Sequence, residues 1–317
     1  MAGSSAPIQF IAVMGLTGTG KTTFINAMSG ASLETSSGLK SCTKHIATAA
    51  MILGGHQVCL IDSPGFDDAD MKDTEILKEI ASGLDHMNRK NLQLTGLIYF
   101  HNISHVRFGK TALRNVRLFR ALVGDKNMQN VVLVSTRWDI AQNDNQEVVN
   151  QRIAQLESEE DFWGGMIRAG ARHEKLQNIK YDGMRILEGL LRKPTTEVQL
   201  QSQLRQSLSL SNTTAGQVLQ EELKKIQDEH KKEISFLQTE IEESRRAGQV
   251  ADADLMNKER QKVEKEQERL QQALIDLKNY EIGQRDHEIE MRNREIEMKN
   301  EEIRGLKKKL SNPCCLM

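Results

Sequence analysis

The stretch GLTGTGKTT, residues 15–23, constrains this chain more than any other part of it. It follows a short apolar run, IQFIAVM (residues 8–14), whose β-branched and aliphatic residues suit a strand buried on both faces. Behind it, residues 21–29 have the composition of a helix. Gly15-Leu16-Thr17-Gly18-Thr19-Gly20-Lys21-Thr22 satisfies G-x-x-x-x-G-K-[ST] in full. The glycines let the backbone curl so that successive N–H groups, through Thr23, point inward at phosphate oxygens. Lys21 is placed to reach the β and γ phosphates, and the Thr22 hydroxyl to ligate Mg²⁺. A strand, this loop and a helix in succession commit the N-terminal half to an α/β architecture.

The rest of that half agrees. Further apolar runs stand at 57–61 (QVCLI), 94–100 (LTGLIYF) and 130–135 (NVVLVS), and helical patterns at 73–87, 110–123 and 146–158. Alternation of this kind predicts a mostly parallel sheet with helices on both faces. Residues 45–52 (HIATAAMI) predict an antiparallel neighbour of the 57–61 strand across Gly54-Gly55, and 182–191 a closing helix. Ligands on such sheets bind at the carboxyl ends of the strands, where the remaining motifs fall.

Asp62-Ser63-Pro64-Gly65 ends the QVCLI strand. Asp62 can hold Mg²⁺, directly or through water, and the Gly65 N–H can bond a γ-phosphate. Thr136-Arg137-Trp138-Asp139 follows NVVLVS and is close to the [NT]-K-x-D of guanine-binding proteins, with Arg137 in place of Lys. A carboxylate at Asp139 accepts from N1–H and the exocyclic amine of guanine. Adenine offers no such pair, so Asp139 selects GTP and GDP over ATP. Thr43 is the candidate switch threonine that completes a Mg²⁺ shell, with Ser41, Ser36 and Thr35 as rivals. Arg172 or His173, in GARHEKLQN (170–178), could flank the base.

GLTGTGKTTFIN, SCTK, DSPGFDD and TRWD, with the box HVRFGKTALRNVRLFRALVG at 105–124, resemble the septin-related, immunity-associated (avirulence-induced-gene-like) GTPases over residues 8–193. That family is similar to the chloroplast outer-envelope import GTPases. The resemblance implies GTP and Mg²⁺ as ligands and a homodimer formed face to face across the nucleotide. Phe66 occupies the position where Ras-like enzymes use Gln to orient the attacking water. Hydrolysis by an isolated subunit should therefore be slow, with Lys21 and Thr43 as its own catalytic groups. The resemblance suggests an arginine supplied in trans, for which Arg107 is the candidate and His105 the runner-up.

The C-terminal half differs in kind. Residues 194–216 read as a linker, broken by Pro194 and rich in Ser and Thr, and 217–310 as one long helix or coiled coil with Gly248 its expected interruption. Helical throughout, that segment would reach about 140 Å at about 1.5 Å per residue. Leu219, Leu223, Ile226 and His230 form a seam, and Ile282, Ile289, Ile296 and Ile303 recur every seven residues. Their seam partners Asn279, Asp286, Asn293 and Asn300 are polar. This fits a weak parallel coiled coil, or a solvated helix held by pairs such as Glu288–Arg292. Cys314-Cys315-Leu316-Met317 fits C-a-a-X and predicts prenylation of Cys314, farnesyl or geranylgeranyl, with Lys307, Lys308 and Lys309 as the basic patch that a single lipid chain requires.

The formal net charge of −1 offers no electrostatic case for nucleic acid. With only 4 Cys no disulfide framework is implied, and the expected setting is cytoplasmic, peripheral on a cytosolic membrane face. Two functions fit: a membrane-anchored GTP-binding protein with slow, dimer-assisted hydrolysis, or a GTP-stabilised scaffold with incidental turnover. Asp139 disfavours a third, an ATP-driven machine.

Overall fold

A computed structural model of the chain describes residues 7–33, 46–66, 73–104, 109–141 and 146–310, with side chains through residue 280. Six strands form one sheet: β1 (Gln9–Gly15), β2 (Ala47–Leu53), β3 (His56–Asp62), β4 (Leu94–Asn102), β5 (Val131–Thr136) and β6 (Arg172–Lys175). Their order is β2-β3-β1-β4-β5-β6, and every pair is parallel except β2–β3. That pair is the expected hairpin, turned by Gly54 and Gly55 at φ 55° and 81°, a backbone region open to glycine and strained for other residues.

Position in the sheet explains the strand sequences. All nine residues of β4 and all six of β5 are buried, as unbroken apolar runs require. The edge strand β2 alternates instead, burying Ala49 and Leu53 while Ile52 is exposed. Helices α1 (Lys21–Ser29), α2 (Asp73–Arg89), α3 (Lys110–Val123), α4 (Trp138–Ala141), α5 (Gln146–Ser158), α6 (Gly165–Arg168) and α7 (Ile179–Leu191) accompany the sheet. Phe24 and Ile25 of α1 and Ile186, Leu187 and Leu190 of α7 share one apolar cluster with Ile11, Val13, Ile98 and Val134. The opposite face carries the larger cluster, with Ile76, Leu77 and Ile80 of α2 and Val116, Phe119 and Leu122 of α3. Tyr99 lies in it fully buried, and loss of water pushes its phenol pKa up, so the hydroxyl stays neutral.

The expected linker at 194–216 is part of the globular body. Thr196 and Leu94 exchange backbone hydrogen bonds of 2.7 and 3.1 Å, and Val198 and Leu200 have no exposed surface. Within α8 (Gln199–Arg205), Gln201 Nε2 donates to the Leu92 carbonyl, while Asn88 Nδ2 donates to the Gln201 carbonyl, both at 2.9 Å. Ser/Thr-rich composition suggested a solvated tether. Two apolar side chains and paired backbone groups outweigh it, because water cannot satisfy a buried N–H.

The long helical segment is interrupted where Gly248 predicted. Helix α9 (Thr214–Arg246) is capped by the Thr213 hydroxyl, which accepts from Gly216 N at 3.1 Å; Gly248 takes φ 76°, and α10 (Val250–Leu310) turns back along α9. No single rod of about 140 Å forms. Leu219 and Leu223 pack into the larger cluster with Leu277 of α10, and Tyr280 Oη donates to the Lys78 carbonyl of α2 at 3.3 Å. The N-terminal part of the predicted seam is thus consumed within the chain, against α3, α2 and the returning helix. A sequence seam reports which face is apolar and leaves open what covers it. Replacing the fully buried Leu277 with Ala should cost about 2–5 kcal/mol of local stability. Amide exchange should rise in α10 while that of β4 is unchanged.

Candidate nucleotide-binding site

The site sits where β1, flanked by β3 and β4, delivers the chain into the glycine-rich loop. Gly15 closes β1 at φ 138°, and a Cβ there would collide with the carbonyl oxygen of Phe100. Gly18 and Gly20 adopt φ 77° and 97°, and a Cβ on either would meet no atom within 4 Å, so open space faces the loop. The Thr19 hydroxyl donates to the Leu16 carbonyl at 2.8 Å and braces the curl. Gly20 caps α1 in a left-handed conformation with no side-chain hydrogen bond, and the N-terminal end of the helix dipole favours an anion there.

Lys21 is 6% exposed, and its Nζ donates to the carbonyls of Gly15 at 3.1 Å and Leu16 at 2.9 Å. This places the ammonium along the loop, within the cradle. The Thr22 hydroxyl donates to Asp62 Oδ2 at 2.7 Å, which brings together the two protein oxygens expected to hold Mg²⁺. Thr23 is exposed on the same turn. Among the described residues no group of three or more His, Cys, Asp or Glu is arranged around a metal position. An ion here would rest on Thr22, Asp62 and ligand oxygens, and that donor set of hard oxygens suits Mg²⁺.

The DSPG turn is stitched to the loop. Ser63 Oγ donates to the Val13 carbonyl at 3.0 Å, and Thr17 N donates to the Phe66 carbonyl at 3.2 Å. A Cβ on Gly65 would fall 2.5 Å from Thr17 Oγ1, so only glycine permits this approach. Phe66 is fully buried and belongs to the larger apolar cluster.

The TRWD motif is tied to the same loop by its first residue. Thr136 Oγ1, at the end of β5, is hydrogen bonded to the Thr19 carbonyl at 2.9 Å and lies 3.3 Å from that of His101. Arg137 follows with φ 62°, a left-handed conformation uncommon for a residue with a Cβ. Trp138 is 6% exposed, and its Nε1 donates to the Ser135 carbonyl at 3.0 Å. Asp139 stands exposed in the first turn of α4. The phosphate loop, Asp62, Gly65, Thr136 and Asp139 therefore line one end of the sheet.

Other expectations fare differently. Thr43, with its rivals Ser41, Ser36 and Thr35, lies outside the described residues, as do Arg107, His105 and Cys314. Lys307, Lys308 and Lys309 end α10, beyond the described side chains. Neither Arg172 nor His173 flanks the TRWD turn through an exposed side chain facing it. Arg172 begins β6 beside Gly189 of α7, and His173 bonds inward to Ser135 and Glu157. Lys175 takes that place, with Nζ 4.7 Å from the Trp138 ring centre, a cation–π distance. The sequence signal for it was slight: Lys175 ends a strand of four residues. His101 and Trp163, packed against this network, belong to no motif. A π-helical turn at Glu160–Gly164, with Phe162 at φ −101° and ψ −118°, delivers Trp163 to the core.

Residues 10–106 match the family model of the 50S ribosome-binding GTPases. No curated protein matches the chain significantly. Among solved structures, Toc33 from Arabidopsis thaliana in complex with GDP and Mg²⁺ is 15% identical at a TM-score of 0.49, over 60% of this chain and 87% of that one. Toc33 from Arabidopsis thaliana in complex with Mg²⁺ and GMPPNP is 17% identical at a TM-score of 0.43, over 53% of this chain and 70% of that one. The G domain of the T. maritima FeoB iron transporter is 16% identical at 0.36, over 58% of this chain and 97% of that one. The strand order, the complete phosphate loop and the family match over residues 10–106 together establish that this chain carries a P-loop GTPase G domain.

Proposed function

We propose that the protein is a guanine-nucleotide switch whose own subunit hydrolyses GTP slowly, whose turnover is completed by a second copy, and which a prenyl group on Cys314 holds at a cytosolic membrane face. Phe66 carries the slow-hydrolysis reading. Its ring is in the core and its carbonyl is engaged by Thr17 N, so it offers no polar group to an attacking water. Lys21 would leave the Gly15 and Leu16 carbonyls to donate to phosphate oxygens, and Thr22, Asp62 and Thr43 would complete the metal shell. Bound Mg²⁺ would neutralise charge between the β and γ phosphates.

Arg107 of a second subunit is the proposed source of the missing positive charge, and such an arginine is worth about 10³–10⁵ in rate where one is used. Turnover per molecule should rise with protein concentration in the wild type and stay flat in Arg107→Ala. A wild-type rate independent of concentration would overturn the dimer. For base choice, Asp139→Ala should weaken GDP binding about 100-fold and leave ADP binding unchanged. An intact, unmodified CCLM terminus on protein from its native cell, read by mass spectrometry, would remove the anchor.

The second reading is a GTP-stabilised scaffold. Phe236, Val250 and Leu255 favour it, as large apolar side chains exposed on the α9–α10 hairpin. It predicts that assembly depends on bound GTP while abolishing turnover leaves assembly intact.

A further inference from the structure

Behind the TRWD turn lies a hydrogen-bonded chain that no nucleotide motif contains. Trp138 Nε1 lies 3.2 Å from Ser135 Oγ, which lies 2.8 Å from His173 Nε2; His173 Nδ1 lies 2.6 Å from Glu157 Oε1. Four elements supply it: α4, β5, β6 and α5. A carboxylate oxygen can only accept, so His173 donates from Nδ1 to Glu157, and in the neutral imidazole its Nε2 accepts. The Ser135 hydroxyl then donates to Nε2 and turns its lone pairs to the indole N–H. The indole N–H is shared between this hydroxyl at 3.2 Å and the Ser135 carbonyl at 3.0 Å, so the side chain adds a second hold to one that the backbone already supplies.

The order Ser–His–Glu is that of a hydrolytic triad, and burial excludes that role. Ser135 has no exposed surface and its oxygen already faces the Trp138 N–H, so no substrate reaches it. Trp163 closes the other side, its ring centre 5.0 Å from that of His173 and 5.6 Å from that of His101. What the chain does hold is the turn itself. Arg137 keeps a left-handed φ of 62°, and a strained residue persists only where its surroundings over-determine it. Trp138 is the next residue, anchored by Ser135 from beneath and covered by Lys175 from above. Asp139 is the residue after that.

We propose that Ser135, His173 and Glu157 are positioning residues that lock Trp138 and thereby aim the Asp139 carboxylate at the guanine edge. The proposal rests on the guanine reading above. Its signature is discrimination rather than affinity alone. Inosine lacks the exocyclic amine that Asp139 accepts from, so the ratio of IDP to GDP dissociation constants reads the aim of that carboxylate.

The test uses the full chain with Mg²⁺ and fluorescent GDP, IDP and ADP in equilibrium titrations. Wild type should prefer GDP over IDP by about 10-fold or more, the worth of one hydrogen bond to a charged acceptor. Ser135→Ala, which removes one oxygen and leaves the backbone free to fold, should shrink that ratio to about 3-fold or less, as should His173→Phe. In an Asp139→Ala background neither change should move the ratio further. General loosening of the site would weaken GDP and IDP alike, and a wild-type ratio in a folded Ser135→Ala protein overturns the relay. ADP binding as tight as GDP binding in wild type would overturn the guanine reading instead, and the relay with it.

Discussion

Lys21→Ala abolishes useful nucleotide binding: the dissociation constant for GDP and GTP should rise by about 10² to 10³, measured by titration with a fluorescent analogue. Lys21 is the one cation that the phosphate loop itself supplies, and it is 6% exposed with its Nζ against the loop carbonyls of Gly15 and Leu16. Hydrogen bonds to charged groups contribute about 1.5–3 kcal/mol each, and an ammonium reaching two phosphates makes at least two of them. Each 1.4 kcal/mol is tenfold in affinity. The folded state should lose less than binding does. Truncation removes donors to the Gly15 and Leu16 carbonyls, contacts that phosphate oxygens would replace in the bound state. A Lys21→Ala protein that melts like wild type yet binds GDP within tenfold of it would contradict the assignment of this loop.

Phe66→Gln, the substitution that supplies the Ras-like residue, should not raise GTP turnover at any protein concentration. It should instead destabilise the G domain by about 3 kcal/mol, from the lost aromatic packing and from an amide placed in an apolar cluster. The Phe66 side chain has no exposed surface, and its neighbours in that cluster include Ile76, Leu77 and Met14. A glutamine there must either remain buried without water or pull the DSPG turn away from Thr17. Both outcomes cost stability, and neither aims an amide at a γ-phosphate. Thermal unfolding and steady-state turnover, run on the same preparation, separate the two effects. A rate increase in the variant would mean that the residue swings out of the core in the nucleotide-bound state.

These two expectations come from different sources of information. The role of Lys21 is legible in the chain alone, because spacing puts a lysine after the last glycine of a loop that joins a strand to a helix. The helices at 21–29, 110–123 and 146–158 are legible in the same way and are found with those limits. Their apolar positions repeat at helical period and their ends are marked by glycines or polar residues. Phe66 is legible only as a missing glutamine. That its ring is core, and that its carbonyl is a partner of the phosphate loop, required the bridge between Leu16 and Phe66.

Elsewhere composition misled for a physical reason. The segment at 194–216 has the Ser, Thr and Gln content of a tether, yet a strand-like pairing with Leu94 and the burial of Val198 and Leu200 make it part of the core. The seam at Leu219 and Leu223 signalled an apolar stripe. It could not say whether a second chain, a neighbouring domain or the same helix folded back would cover it. Gly248 made the fold-back feasible, and contacts with α2 and α3 decided it.

By itself, the sequence determined the α/β class, the phosphate cradle and the TRWD motif for which guanine recognition is proposed, because each depends on residues adjacent in the chain. Only the tertiary structure decided the course of the C-terminal helices, the burial of Phe66 and the chain from Trp138 through Ser135 and His173 to Glu157. Those depend on contacts such as Glu157 with His173 and Lys78 with Tyr280, 16 and 202 residues apart in sequence, which form only when the sheet and its helices are assembled.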